Sequence, residues 1–165
     1  MKVILTILTL ALLVVAAPLT ARAQAADPAV AQVQGFYDGL TAAMKTSGGA
    51  KARFAKLKPA VDKAFDLPGM TALAVGSGWA AMAPADQKVL IDAFGRMTVA
   101  SYAKNFDSYN GEKFIVDPTP VARGTEKFVK SSLKPSSGQA NAFNYRMHQV
   151  RGVGKILDVY VAGNI

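Results

Sequence analysis

The chain has no cysteine, one histidine and one tryptophan. Without cysteine it forms no disulfide and carries no thiol nucleophile, so its core alone must hold the fold. One His and two Glu supply no ligand cluster at metal-binding spacing. Acid is scarce too: 11 Asp and Glu stand against 19 Lys and Arg, a formal charge of +8. No G-K-[ST] ending of a phosphate loop occurs, and no serine sits in a G-x-S-x-G elbow. No uncharged apolar run reaches the roughly 20 residues that a membrane span needs.

What is present begins with an address. Met1-Lys2 is a positive start, Val3 to Ala17 is apolar or Thr, and Ala21-Arg22-Ala23 is an A-x-A cleavage signal. That is the grammar of a secretory signal peptide over residues 1–23. Ala23-Gln24-Ala25 offers a second site. No Cys follows, which argues against a lipoprotein anchor. Residues 24–165 then form a single domain, expected in the periplasm and as a monomer. Leaving out Lys2 and Arg22 lowers the formal charge to +6. A basic chain suits anionic partners. Export, and the lack of aromatic-basic interleaving along the sequence, argue against nucleic acid.

The order is helices first, strands last. Asp27-Pro28 reads as an N-cap with proline in the first turn. Val30, Val33, Phe36-Tyr37, Leu40 and Met44 follow at helical spacing, and Ser47-Gly48-Gly49 ends that helix. A second helix spans about Ala50 to Phe65 on a stripe of Phe54, Leu57, Val61 and Phe65. Pro59 is expected to bend it. Asp66 is read as the cap of a third helix, in which Gly76 and Gly78 allow close packing beside Trp79. A fourth runs from Pro84 to about Tyr109. Beyond Asn110-Gly111 the period changes to two. Strands are expected at Lys113–Val116, Glu126–Leu133, Ala142–Val150 and Ile156–Val161 as an antiparallel meander. The class is α+β: about four helices packed on a sheet of about four strands.

AVGSGWAA fits G-x-G-x-x-G/A at Gly76, Gly78 and Ala81. A dinucleotide fold also needs an acid about 20 residues on and a βαβ alternation. Residues 93 to 105 contain neither Asp nor Glu, and the strands all come late. His148 and Asp158, on neighbouring strands, could be drawn with a serine as a hydrolytic set, but nothing else supports one. Asp62 reads as a partner for Lys58 or Lys63. The run Lys45, Lys51, Arg53, Lys56, Lys58 and Lys63, with only Asp62 opposing it, is either a solvated helix face or a docking surface for head groups or an acidic partner. Eight Phe and five Tyr recur on the stripes. They form either a plain core or the wall of an apolar cavity, which periodicity does not separate.

Val61 to Val116, VDKAFDLPGMTALAVGSGWAAMAPADQKVLIDAFGRMTVASYAKNFDSYNGEKFIV, resembles the MlaC family, also called the toluene-tolerance auxiliary family. The residues that carry the likeness are Phe65-Asp66, Met70, Gly76 with Trp79, Pro84 and Gln87, Ala93-Phe94, Tyr102 or Tyr109, and Gly111. Tyr145-Arg146-Met147 and Asp158-Val159 resemble its closing strands. TVASYAKNFDSYNGEKF and KPSSG are nearest its hopanoid-associated branch, HpnM. The resemblance implies a periplasmic, non-catalytic lipid carrier with no cofactor and an apolar cavity between helices and sheet. Its implied partners are a lipid and membrane-bound transport complexes: an inner-membrane ABC transporter and an outer-membrane or efflux component. Family members continue with a C-terminal helix, which this chain, ending at Gly163-Asn164-Ile165, is expected to lack. On this reading the lipid-binding residues are Met70, Val75, Trp79, Phe94, Met97, Tyr102 and Phe106 from the helices. Phe114, Phe128, Phe143, Tyr145, Met147 and Val159 come from the sheet. Lys51, Arg53, Lys56, Lys58 and Lys63 form the docking face. The rival readings are an envelope adaptor with a packed core and a small hydrolase using His148.

Overall fold

Asp27 starts the fold as its sequence suggests. In a computed structural model describing residues 26–161, Asp27 Oδ1 accepts the Ala29 N–H at 2.9 Å. Pro28 takes the first turn of α1 (Pro28–Met44), where a missing N–H is no loss. The other Asp27 oxygen holds Lys127 Nζ at 2.6 Å, tying the helix start to the sheet. The signal-peptide and C-terminal expectations fall outside the described residues.

Helix α2 (Gly49–Ala64) follows two glycines of positive φ and contains Pro59. It lies so close to α1 that a Cβ on Gly39 would overlap the Ala60 methyl. Helix α3 (Leu67–Val75) leads into a 3₁₀ segment, Gly76–Ala81. Helix α4 (Pro84–Asn105) ends four residues before the expected Tyr109. Phe106 leaves helical geometry there and packs its ring 5.9 Å from Tyr102 and 6.0 Å from Phe114. Tertiary packing overrides the helical spacing. The expected role of Gly76 and Gly78 also needs correction. Gly76, at φ 72° and ψ −140°, ends α3 in a conformation that suits glycine, and it packs against nothing. The close approaches belong to Gly39, to Gly69 beside Asp66 and Leu157, and to Gly95 beside Leu67.

The sheet has five antiparallel strands: β1 (Lys113–Val116), β2 (Val121–Arg123), β3 (Glu126–Lys134), β4 (Asn141–Val150) and β5 (Val153–Val161). The expectation of four missed β2, whose three exposed residues are too short to show a period. β1 and β2 lie end to end on one edge of β3, with Phe114 opposite Leu133 and Val121 opposite Phe128. Val129, Tyr145 and Val159 share one sheet face; Phe128, Arg146 and Asp158 share the other. A bulge at Arg146/Met147 sets Leu157 out of register.

The core lies between α1, α2 and the first of these faces. Val33, Phe36, Leu40, Leu57, Val61, Val129, Tyr145 and Ile156 are fully buried. Burying each larger apolar side chain contributes about 1.5–3 kcal/mol. The four-helix, α+β expectation holds. Among the described residues no helix is long and apolar enough to cross a membrane.

Candidate functional site

The apolar residues of α3 and the 3₁₀ segment are poorly spent on the core. In LPGMTALAV only Thr71 is buried, its hydroxyl donating to the Leu67 carbonyl at 2.7 Å. Leu73 is 54% exposed. On α4 the buried row is Gly95, Val99 and Ala103, which faces α2, while Met97 is 56% exposed. Gln87 Nε2 donates to the Trp79 carbonyl at 2.8 Å and fixes the 3₁₀ segment to the first turns of α4. These helices therefore form an arm that is anchored at its base and leaves apolar side chains such as Leu73 and Met97 exposed.

Two hollows open between this arm and β5. One, of 480 Å³, is lined by Leu73, Trp79 and Leu157 with the small residues Gly69, Ala72, Gly76, Ser77 and Ala80. The other, of 340 Å³, lies among Ser101, Tyr102, Asn105, Phe106, Phe143 and Val161. Leu157 and Val161 are four residues apart on β5, roughly 13 Å. Val159 lies between them. Met97, Ser101 and Asn105 fall on one helical row of α4, leading into the second hollow. An apolar chain laid here meets methyl groups and rings, and only uncharged polar groups line the second hollow.

Behind the second hollow stands an aromatic wall. Phe36 meets Phe65, Tyr102 and Tyr145 edge-on at 4.9, 5.1 and 6.4 Å. Tyr37 stacks on Phe114 at 4.5 Å. The buried hydroxyls form a chain whose direction is determined. Ser131 Oγ donates its single proton to the Phe143 carbonyl at 2.5 Å. It therefore accepts from Tyr37, at 2.6 Å. Tyr37 in turn accepts from Tyr145, at 2.9 Å. Burial pushes the Tyr37 and Tyr145 hydroxyls above the ordinary tyrosine value, as it does that of Tyr102.

His148 is not paired with Asp158. Its Nε2 lies 2.8 Å from Asp66 Oδ2. Asp158 Oδ1 accepts the Val159 N–H at 2.9 Å instead. Asp66 correspondingly makes no side-chain cap for α3, although it occupies the cap position. Its backbone N–H donates to the Ile156 carbonyl at 2.8 Å, so the α2–α3 junction docks on β5 through its main chain and reaches β4 through its side chain. The sequence offered only Asp158 to His148; the fold supplied Asp66 instead, 82 residues away in the chain. No serine hydroxyl bonds to His148 among the described residues. No group of three or more His, Asp or Glu gathers there for a metal.

The family model described as MlaC protein matches residues 34–165. The chain belongs to the MlaC family. Among solved structures it is similar to a phospholipid-binding protein from Ralstonia solanacearum, determined in complex with a phospholipid at 1.53 Å. The likeness has a TM-score of 0.71 at 22% identity and covers 82% of this chain and 79% of that one. At that identity it shows the fold. A comparison with curated proteins found no match.

Against this MlaC-family fold the nominated residues separate. Trp79, Tyr102, Phe106 and Phe143 line the hollows, and Val75 and Met97 lie exposed on the same arm. Phe94 is half-buried on α4. Met70, Phe114 and Val159 are half-buried against the core. Tyr145 and Met147 are fully enclosed in it. Phe128 lies on the opposite sheet face from Tyr145. Leu73 and Leu157 were missed; Leu157 reaches α3 beside a bulge that sequence alternation does not reveal. Of the basic residues, Arg53 Nε is spent on the Ala103 carbonyl of α4 at 2.9 Å. Lys58 pairs with Asp62 at 2.5 Å, as expected. Lys51 and Lys58 form one helical row, and Lys56 and Lys63 another, on either side of exposed Ala55 and Pro59. The run is two rows rather than one stripe.

Proposed function

We propose that this MlaC-family chain is a periplasmic lipid-binding shuttle that holds an acyl chain between the α3–α4 arm and β5. The observation that carries this reading is the pair of apolar hollows on either side of Val159. Membership of the family and likeness to a protein solved with phospholipid support it. Each CH₂ removed from water contributes about 0.8 kcal/mol, so one long chain needs no charged ligand to be retained. The head group lies near the rim by Ser101 and Asn105. Export by the signal peptide over residues 1–23 delivers the domain to the periplasm. Carriage requires no catalysis.

The finer reading follows the family. The cargo is a phospholipid or a hopanoid-type lipid, the latter suggested by the likeness of TVASYAKNFDSYNGEKF to the HpnM branch. The partners are an ABC-transporter complex of the inner membrane and an outer-membrane component. Lys51, Lys56 and Lys63 on α2 offer these complexes a basic contact.

Native mass spectrometry of protein purified from cells tests the proposal. A co-purified lipid, or uptake of phospholipid from vesicles, is the expected result. Protein that emerges empty and takes up none overturns it and favours an adaptor with a closed core.

A further inference from the structure

The sheet face that carries Phe128 is open. A hollow of 400 Å³ there is lined by Val121, Arg123, Phe128, Lys130, Asn144 and Tyr160, every one from a strand. Helices α1 and α4 send their aromatic residues to the other face, against Tyr145 and Phe114. On the open face Phe128 and Tyr160 lie 6.2 Å apart, and the Arg123 guanidinium sits 4.6 Å over the Phe128 ring. Two aliphatic side chains extend the apolar strip along the neighbouring strands: Val121, 41% exposed, and Ile115, 50% exposed.

Charge on this face is one-sided. Of its acids, Glu126 is held by Arg146 through two hydrogen bonds of 2.9 and 2.7 Å, and Asp117, at the edge beside Ile115 and Lys130, accepts the Thr119 N–H at 2.8 Å. Asp158 accepts from its own strand. Arg123 and Lys130 form no ion pair among the described residues. Register places Lys113 opposite Lys134 at the far end of the same sheet. The face thus combines an apolar floor, a ring with a hydroxyl at its tip, and a surplus of positive charge.

We propose that this open sheet face is a docking surface for a bilayer rich in anionic phospholipid. Arg123 and Lys130 meet the head groups while Phe128, Tyr160, Val121 and Ile115 settle at the head-group boundary. The apolar groups are interleaved with cations across several strands, a pattern that matches the mixed apolar and anionic chemistry of a head-group layer. Amphipathic side chains of this kind favour a lipid–water interface, and each cation near an anionic leaflet adds to the attraction. The surface is separate from the cargo hollows and does not depend on what they hold.

Vesicle co-sedimentation of the mature full-length chain tests this, with phosphatidylcholine vesicles against vesicles containing phosphatidylglycerol. The expected result is binding to the anionic vesicles that weakens with salt. Arg123→Glu with Lys130→Glu should weaken it roughly 30-fold or more. Arg123→Gln with Lys130→Gln removes charge without adding acid and should give a smaller loss in the same direction. Lys88→Glu with Lys104→Glu, at exposed positions of α4, should bind vesicles as the parent does. Thermal melts confirm folding of each variant, and lipid content by native mass spectrometry reports the cargo separately. Equal binding to both vesicle types, or a loss shared by the α4 variant, overturns the proposal. So does a double variant that keeps vesicle binding while losing capture by an acidic protein, which would assign the face to a protein partner.

Discussion

The Tyr145 hydroxyl donates to the Tyr37 hydroxyl at 2.9 Å, joining the middle of the sheet to α1. Because Ser131 spends its proton on Phe143, the whole chain of donors runs one way. Tyr37→Phe breaks two bonds and leaves the Tyr145 donor buried without an acceptor. Tyr145→Phe breaks one. An orphaned buried polar group costs about 1–3 kcal/mol. Urea unfolding should therefore show the larger loss for Tyr37→Phe; equal or reversed losses would refute Tyr37 as the middle of the chain.

The same buried hydroxyls make the fold sensitive to alkali. Burial raises the folded-state values of Tyr37, Tyr102 and Tyr145. Above the unfolded value, near pH 10, the native state binds more protons than the unfolded chain, so stability falls as pH rises further. Below it the contribution is fully present. Each tyrosine adds a slope of up to about 1.4 kcal/mol per pH unit. Denaturation midpoints measured from about pH 9 to about pH 11 should fall steeply over the upper part of that range. A flat profile would count against it.

Gly39 faces Ala60 with no room for a methyl group. Gly39→Ala should destabilise the protein by about 1–3 kcal/mol, as overpacking does. Adding Ala60→Gly should restore part of that loss, since it empties the contested space. Calorimetry on both variants decides it; no recovery in the pair would mean that the cost lies elsewhere in α1.

Leu73 and Met97 project from the arm into solvent. Leu73→Asp and Met97→Asp should change stability by no more than about 0.5 kcal/mol, as surface substitutions do. Each should nonetheless weaken lipid retention about tenfold or more, by placing a charge where an acyl chain lies. Competition for a fluorescent phospholipid reads this. Unchanged retention in both would remove the arm from the binding site.

On α2, Lys56 and Lys63 share a row. Reversing both to Glu should weaken docking to membrane-bound transport complexes at low salt and leave lipid content unchanged. Surface plasmon resonance at two ionic strengths checks this, and an unaltered docking constant would leave the row a solvated face.

Much of the fold was legible from local chemistry. Asp27-Pro28 marks a helix start because cap and proline act within one turn. The Phe36, Tyr37 and Leu40 stripe marks a buried helix face, and Phe143, Tyr145 and Met147 mark a strand with one buried side. β2 was not legible, because three exposed residues carry no period. Among site residues, Trp79, Tyr102, Phe106 and Phe143 were found through aromatic stripes. Leu157 was not, because a bulge interrupts the alternation that would have shown its direction.

By itself the sequence determined an α+β domain without disulfides, a basic charge, and a surplus of aromatic residues spaced to leave the surface. These depend on composition and on periods of two and 3.6, which neighbouring residues express alone. Tertiary structure decided the pairings. It gave His148 to Asp66 rather than Asp158, spent Arg53 on a helix end, and left the α3–α4 arm apolar and open. It also brought Arg123, Phe128, Lys130 and Tyr160 onto one face from three strands. Strand register and helix crossing set such encounters, and both depend on residues too far apart in sequence for any local pattern to record them.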